Sequence, residues 1–209
     1  MQTIDTIVFD IGNVLLPWNP RWLFRALLPD DDAVERFLRD VGFDAWNMRF
    51  DAGEPMARGI AQHSERFPHY RPLFEAFQTR WEETLGMPDS AMLALKQELH
   101  AADYRVLALT NFSAETFPRA RRHHPFLANF DGIVVSGEVG LTKPDPAIYT
   151  LLCDRYGVCP SSAVFIDDSL GNVDGARAVG LHGVHFGGAE KLRAQLTDLG
   201  VLARMPETR

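Results

Sequence analysis

Four short stretches of this 209-residue chain carry side chains that can do chemistry together. Asp10 stands with Ile11, Gly12 and Asn13; Thr110 is followed by Asn111 and Phe112; Lys143 lies in the segment GLTKPDP; and Asp167 and Asp168 are adjacent. Asp10 and Asp168 offer two carboxylates to a hard cation. Magnesium in particular takes oxygen ligands, commonly one or two carboxylates completed by waters and a substrate phosphate. Thr110 offers a hydroxyl and Asn111 an amide to a phosphate oxygen, Lys143 offers a point charge to the same anion, and the Gly12–Asn13 turn can present backbone N–H groups to it. Phosphoryl transfer asks mainly for positioning and for neutralisation of the transferring group's charge, and each required part is present. Taken singly, each residue has a plainer explanation as a cap, a turn or a solvated side chain. Their joint placement is what carries weight.

That placement follows from the elements around them. Residues 6–10 (TIVFD), 104–109 (YRVLAL), 131–136 (DGIVVS), 163–166 (AVFI) and 181–186 (LHGVHF) read as short buried strands, rich in Val, Ile or Phe and bounded by turn-forming residues. Helical periodicity covers 90–101, opening at Ser90, and also 114–123, 147–156 and 172–179; Gly157 and Gly180 stand just past two of these, where a terminating glycine belongs. Strands alternating with helices imply a parallel sheet covered on both faces, a doubly wound, Rossmann-like α/β core. Such sheets bind ligands beyond the carboxyl ends of their strands, and the polar residues above fall there. Because side chains alternate across a strand, one of the Asp167–Asp168 pair is expected to face the site while the other braces it.

One stretch breaks the rhythm. Residues 18–86 contain no convincing strand but four helical pieces, 20–28, 32–41, 54–67 and 71–85, with Asp31 and Asp32 as candidate caps of the second. About 70 residues is too much for an ordinary crossover between strands. The expected organisation is therefore an α/β core from residues 1–16 and 87–209, with an inserted α-helical cap at 17–86.

Composition narrows the function classes. A net charge of −7, from 28 acidic and 21 basic residues, argues against a nucleic-acid partner. The one basic cluster, Arg119, Arg121 and Arg122 with His123 and His124, reads as a solvated helix end. Cys153 and Cys159 form no disulfide framework and read as packing residues. No apolar run approaches a membrane span and the first residues lack the pattern of a signal peptide, so a cytoplasmic location and no membrane partner are expected.

The segments VFDIGNVL (8–15), ALTNFS (108–113), GLTKPDPAIY (140–149) and VFIDDSLGNVDGA (164–176) together resemble the haloacid-dehalogenase-like hydrolase superfamily, in family order and near family spacing, with the helical insert where that family carries its cap. The resemblance implies a magnesium-dependent hydrolase of small phosphate esters, sugar phosphates among them. In it Asp10 matches the nucleophile that becomes an aspartyl-phosphate, and Thr110 the residue that hydrogen-bonds the phosphoryl group. Lys143 matches the lysine that steadies both. Asp168 matches the main metal-ligating carboxylate, with Asp167 as a second ligand or a brace, and the metal is also held by the backbone carbonyl at Gly12. Most phosphatases of the superfamily carry a second, proton-transferring aspartate where this chain has Gly12. The FD-x-GNV form resembles a branch, including bacterial glucose-1-phosphate-type phosphatases, that works without it. Glycine there argues against a phosphomutase and leaves open what replaces the proton carrier, solvent or a cap residue. Two other functions stand beside the phosphatase: a 2-haloacid dehalogenase, which needs no metal and lacks the paired aspartates, and a non-catalytic phosphometabolite binder. Substrate contacts are expected from Trp18, beside Pro17 and Asn19, and from Trp46, Asn47, Arg49 and Phe50 in the insert, unless those aromatics are core; Phe112 is expected to shape the site. His63 and His69 are given no role. Either a monomer or a homodimer is compatible with the sequence.

Overall fold

A computed structural model describes residues 3–203. Five strands form one sheet: β1 (Thr6–Phe9), β2 (Arg105–Thr110), β3 (Gly132–Val135), β4 (Ala163–Asp167) and β5 (His182–His185), in the order β3-β2-β1-β4-β5. All the pairings are parallel. The sheet is thus the expected Rossmann-like α/β fold, and each strand lies within two residues of its sequence reading. The order reverses direction at β1, so β1 and β4 flank the crevice where such sheets bind ligands. Register sets the heights. Phe9 pairs with Ala108 on one side and Ile166 on the other, and the Asp10 N–H extends the ladder to the Ile166 carbonyl at 2.8 Å. Asp10 and Asp167 therefore leave neighbouring strands at the same level.

Between β1 and β2 lies a helical block: α1 (Pro20–Arg25), α2 (Asp31–Val41), α3 (Phe43–Asp51), α4 (Met56–Arg66) and α5 (Arg71–Thr79), followed by a 3-10 turn at Trp81–Thr84. The chain enters and leaves it side by side. Asn19 donates to the Thr84 carbonyl at 2.8 Å and Gly86 to the Pro17 carbonyl at 2.8 Å, around an antiparallel bridge between Trp18 and Leu85. The remaining helices, α6 (Ser90–Ala101), α7 (Phe117–His123), α8 (Ser136–Val139), α9 (Pro146–Tyr156), α10 (Leu170–Ala178) and α11 (Ala189–Asp198), flank the sheet or its ends.

Several local readings are corrected. The cap of α2 is Asp30, in extended conformation with its carboxylate accepting from the Ala33 N–H at 2.8 Å. Asp31 and Asp32 are already in the first turn, where negative charge suits the helix dipole. The helix α6 opens at Ser90 as read, and Asp89 caps it through the N–H groups of Ala91 and Met92. Gly157 takes the left-handed conformation expected after α9. The helix α3 was not anticipated, although Phe43, Trp46 and Phe50 repeat at helical spacing. All three are fully buried, in an edge-to-face aromatic cluster with Phe24, Phe37, Phe74 and Phe77. Trp46 is core and not a substrate platform. Arg49 is committed to Glu54 at 2.5 and 2.7 Å and so is not free for an anion. Arg119 belongs to no solvated helix end: it grips Glu82 and the Gln78 carbonyl, tying α7 to the block. The apolar cluster of the block continues into Ile11, Phe112 and Val135 of the α/β core. Among the described residues no helix is long and apolar enough to cross a membrane.

Candidate active site

The strand ends deliver the charged residues. Asp10 is almost fully buried, and its Oδ1 accepts from the Ile11 N–H at 2.7 Å and from Lys143 Nζ at 2.9 Å. The same ammonium reaches Asp167 Oδ2 at 2.6 Å. Lys143 arrives there because Asn111 clamps its main chain from both sides, accepting from the Lys143 N–H at 2.8 Å and donating to the Lys143 carbonyl at 3.0 Å. Asn111 was expected to bind phosphate; its amide is instead committed at both ends to holding a loop. Asn13 differs likewise. Its N–H donates to the Leu16 carbonyl and its side-chain oxygen accepts from the Trp18 N–H, so the turn spends that N–H internally.

Asp167 is wholly buried and saturated: Oδ1 accepts from the Ser169 N–H and Asn172, Oδ2 from Lys143 and Asn172. Of the two roles open to it, this suits a brace better than a ligand. Asp168 is exposed. Oxygens of Asp10, Asp167 and Asp168 lie within 4.8 Å of one another, close enough to hold a metal ion, and an all-oxygen set fits a hard cation. Thr110 is buried, and its hydroxyl is one of the few buried polar atoms with no hydrogen-bond partner among the described residues. Buried hydroxyls are nearly always paired.

The electrostatics are set by burial. Desolvation, helped by Asp167 and Asp168 and opposed by Lys143, pushes the Asp10 carboxyl up to about 7. Burial alone would depress the Lys143 ammonium, but the Asp10 and Asp167 carboxylates outweigh it and raise it, so the lysine is charged at neutral pH. Asp168, exposed as a residue but partly desolvated at its carboxyl by the groups around it, is raised by that desolvation and by Asp167, against the pull of Lys143 and a hydrogen bond from Asn13.

Above these residues is a cavity of about 180 Å³. Asp10, Gly12, Asn13, Asn111, Phe112 and Asp168 line it from the α/β core. Trp18, Asn47, Phe50, Asp51, Phe77 and Trp81 line it from the helical block and its connections. Lys143 and Asp167 lie behind Asp10, in contact with it or with each other. A side chain built on Gly12 would meet nothing within 4 Å, so neither packing nor a left-handed backbone demands glycine there.

Asp51 is the functional candidate that sequence reasoning missed. It ends α3, and its carboxylate accepts from Asn47 Nδ2 at 3.0 Å and from the Ser113 backbone N–H. Burial first, and the nearby Asp10 second, push it up to about 7. Its main chain is hooked to the α/β core by Ser136, whose hydroxyl donates to the Asp51 carbonyl at 2.6 Å. The only signal in the sequence was a polar Asn47–Asp51 pair four residues apart, flanking Phe50.

The chain matches the family described as haloacid dehalogenase-like hydrolase over residues 4–180. A sesquiterpene phosphatase of Aspergillus oryzae is 30% identical over 186 residues, covering 88% of this chain and 90% of that one. A haloacid-dehalogenase family enzyme of Bacteroides thetaiotaomicron shares the fold with a TM-score of 0.75 and 19% identity, over 93% of this chain and 99% of that one. The same enzyme crystallised with magnesium and inorganic phosphate gives a TM-score of 0.68 at 20% identity, over 87% and 93% of the two chains. With that match running from β1 to the turn before β5, the chain belongs to the haloacid dehalogenase-like hydrolases.

Proposed function

We propose that this hydrolase is a magnesium-dependent phosphate monoester hydrolase of small metabolites, with Asp10 as a covalent nucleophile and the helical block, residues 17–86, as a cap over the site. One observation carries the reading: a buried carboxylate, Asp10, shares a lysine with the saturated Asp167 and faces a cavity that Asp168 also lines. A carboxylate nucleophile divides one difficult displacement into two easier ones. Attack by an Asp10 oxygen on phosphorus would expel the alcohol and leave a phosphoryl group on Asp10; water would then release phosphate. Lys143 holds the nucleophile in place and supplies positive charge to the phosphoryl oxygens. The unpartnered Thr110 hydroxyl is the donor best suited to one of those oxygens. A divalent cation held by Asp10, Asp168 and the Gly12 carbonyl would neutralise the remaining negative charge, Asp167 serving as brace.

The cavity also bears on the substrate. It is smaller than the ~300–1,000 Å³ of ordinary ligand pockets. Phe50, Met56, Phe77 and Trp81 make much of its cap side apolar. This favours a leaving group with apolar character over a fully hydroxylated sugar; the cavity's size argues for a small one, and similarity to a sesquiterpene phosphatase supports the apolar character alone.

The deciding experiment is hydrolysis of p-nitrophenyl phosphate with magnesium, with EDTA, and in Asp10→Asn. Turnover that needs the metal and falls at least about 10³-fold in the variant is expected, since the variant lacks the nucleophile. A folded, metal-loaded protein inactive on this and on a panel of alkyl and sugar phosphates would overturn the reading. Metal-independent chloride release from 2-chloropropionate would replace it with a dehalogenase.

A further inference from the structure

Departure of an alkoxide needs a proton, and the α/β side of the cavity has no spare group to give one. Asp10 is the nucleophile of the proposed reaction and Asp168 is placed for the cation. Asn13 and Asn111 are amides, and Ser113 and Thr116 carry hydroxyls, far weaker acids than a carboxyl. Gly12, opposite open space, has no side chain. Among the described residues that line the cavity there is no histidine, lysine, cysteine or tyrosine. From the cap side one carboxylic acid enters, Asp51. In-line displacement puts the leaving oxygen on the far side of phosphorus from the attacking atom, and the helical block with its connections supplies the cavity lining that does not come from the α/β core bearing Asp10.

We propose, resting on the phosphatase reading above, that Asp51 is the catalytic acid and base of this enzyme, supplied by the cap instead of by the strand that bears the nucleophile. In the first step an Asp10 oxygen bonds to phosphorus, the phosphorus–oxygen bond to the leaving group breaks, and the departing oxygen takes the Asp51 proton. The products are an alcohol and an Asp51 carboxylate. In the second, that carboxylate takes a proton from a water whose oxygen bonds to phosphorus, the bond to Asp10 breaks, and inorganic phosphate leaves with Asp10 and Asp51 restored. The placement is fixed at three points. Ser136 holds the Asp51 carbonyl, while Asn47 and the Ser113 N–H orient its carboxyl. The Asn47 and Ser113 bonds keep the carboxyl directed while it exchanges its proton. Burial holds the group near 7, where an acid can both give and recover a proton at neutral pH.

The test compares wild type with Asp51→Asn, as metal-loaded full chains, on phosphate monoesters graded by leaving group, from p-nitrophenyl through phenyl to a simple alkyl. A good leaving group departs without help; a poor one does not. We expect kcat/KM to fall about 10²-fold or more for the alkyl ester, the usual scale for general acid–base help, and much less for the nitrophenyl ester. Thermal-shift affinity for inorganic phosphate should stay unchanged. In Asp51→Glu, which keeps an acid, the alkyl-to-nitrophenyl ratio should move back towards wild type; this variant carries the test if Asp51→Asn does not fold. Equal loss on every ester, parallel loss of phosphate affinity, or no recovery of the ratio in Asp51→Glu would make Asp51 structural and overturn the proposal. A wild type inactive on the whole series would instead bring down the phosphatase reading, and this proposal with it.

Discussion

The two walls of the cavity are built by different physics. On the α/β side, position comes from the backbone: parallel pairing sets Phe9 level with Ala108 and Ile166, and the charged residues follow at the strand ends. On the side of the helical block, position comes from side-chain packing, in which Phe24, Phe37, Phe43, Trp46 and Phe77 meet at centroid distances of 4.7–6.2 Å. A hydrogen-bonded ladder tolerates little displacement, and a charge cluster needs that stiffness. An aromatic cluster has many near-equivalent contacts and lets a wall be reshaped by substitution. The α/β wall is therefore the stiffer and the helical wall the more easily reshaped, with Asp51 as the point where the two meet.

The sharpest way to break the first wall is Lys143→Met. It leaves Asp10 and Asp167 buried without their shared cation, so turnover should vanish. Stability should fall by about 3–5 kcal/mol, the usual result of stripping one partner from a buried ion pair, measured by urea unfolding in EDTA. A mild effect would mean that the strand ends do not depend on the lysine for their geometry.

Trp46→Ala attacks the second wall. Truncating an aromatic that is 1% exposed should cost about 3–5 kcal/mol, while the Asp10–Lys143–Asp167 arrangement survives. In calorimetry under stabilising conditions, turnover of a small ester should outlast that of a bulkier one. If both fell together, the walls would be mechanically one.

The smallest effect sharpens the junction. A raised carboxyl holds its proton in the folded state while the unfolded chain has already lost it. Between pH of about 4 and 7 stability therefore drops as pH rises, and above 7 the penalty stays constant. Asp51→Asn has no such penalty. In the metal-free protein it should match wild type near pH 4 and exceed it by up to a few kcal/mol at pH 8, seen as a melting-temperature gap that widens with pH. A gap independent of pH would show that packing, not charge, explains it.

Much of the α/β wall was legible because a buried strand announces itself twice, by its Val, Ile and Phe run and by the polar residue that ends it. Asp10 and Asp167 were singled out on that basis, and Lys143 from the loop beyond the third strand, and they make contact. The part Asn111 plays was not legible, because its partner is the main chain of a loop 32 residues away. Asp30, Asp31 and Asp32 are chemically alike, and only backbone conformation chose the first as cap. The helix α3 was overlooked because Trp46, Asn47, Arg49 and Phe50 suggested substrate contacts, although Phe43, Trp46 and Phe50 also repeat as one apolar face. Asp51 went unnoticed for the converse reason: a charged residue at a helix end reads as solvated until tertiary packing closes over it.

The two-sided grip of Asn111 on residue 143 has a further consequence. It touches only main-chain atoms, so it is indifferent to the side chain carried there. The loop is held by one residue and the charge supplied by another, which separates scaffolding from reactivity at the level of single positions. A substitution at position 143 therefore removes the charge that Asp10 and Asp167 share while leaving the main-chain grip in place, so its cost reports on the ion pairs and not on the loop.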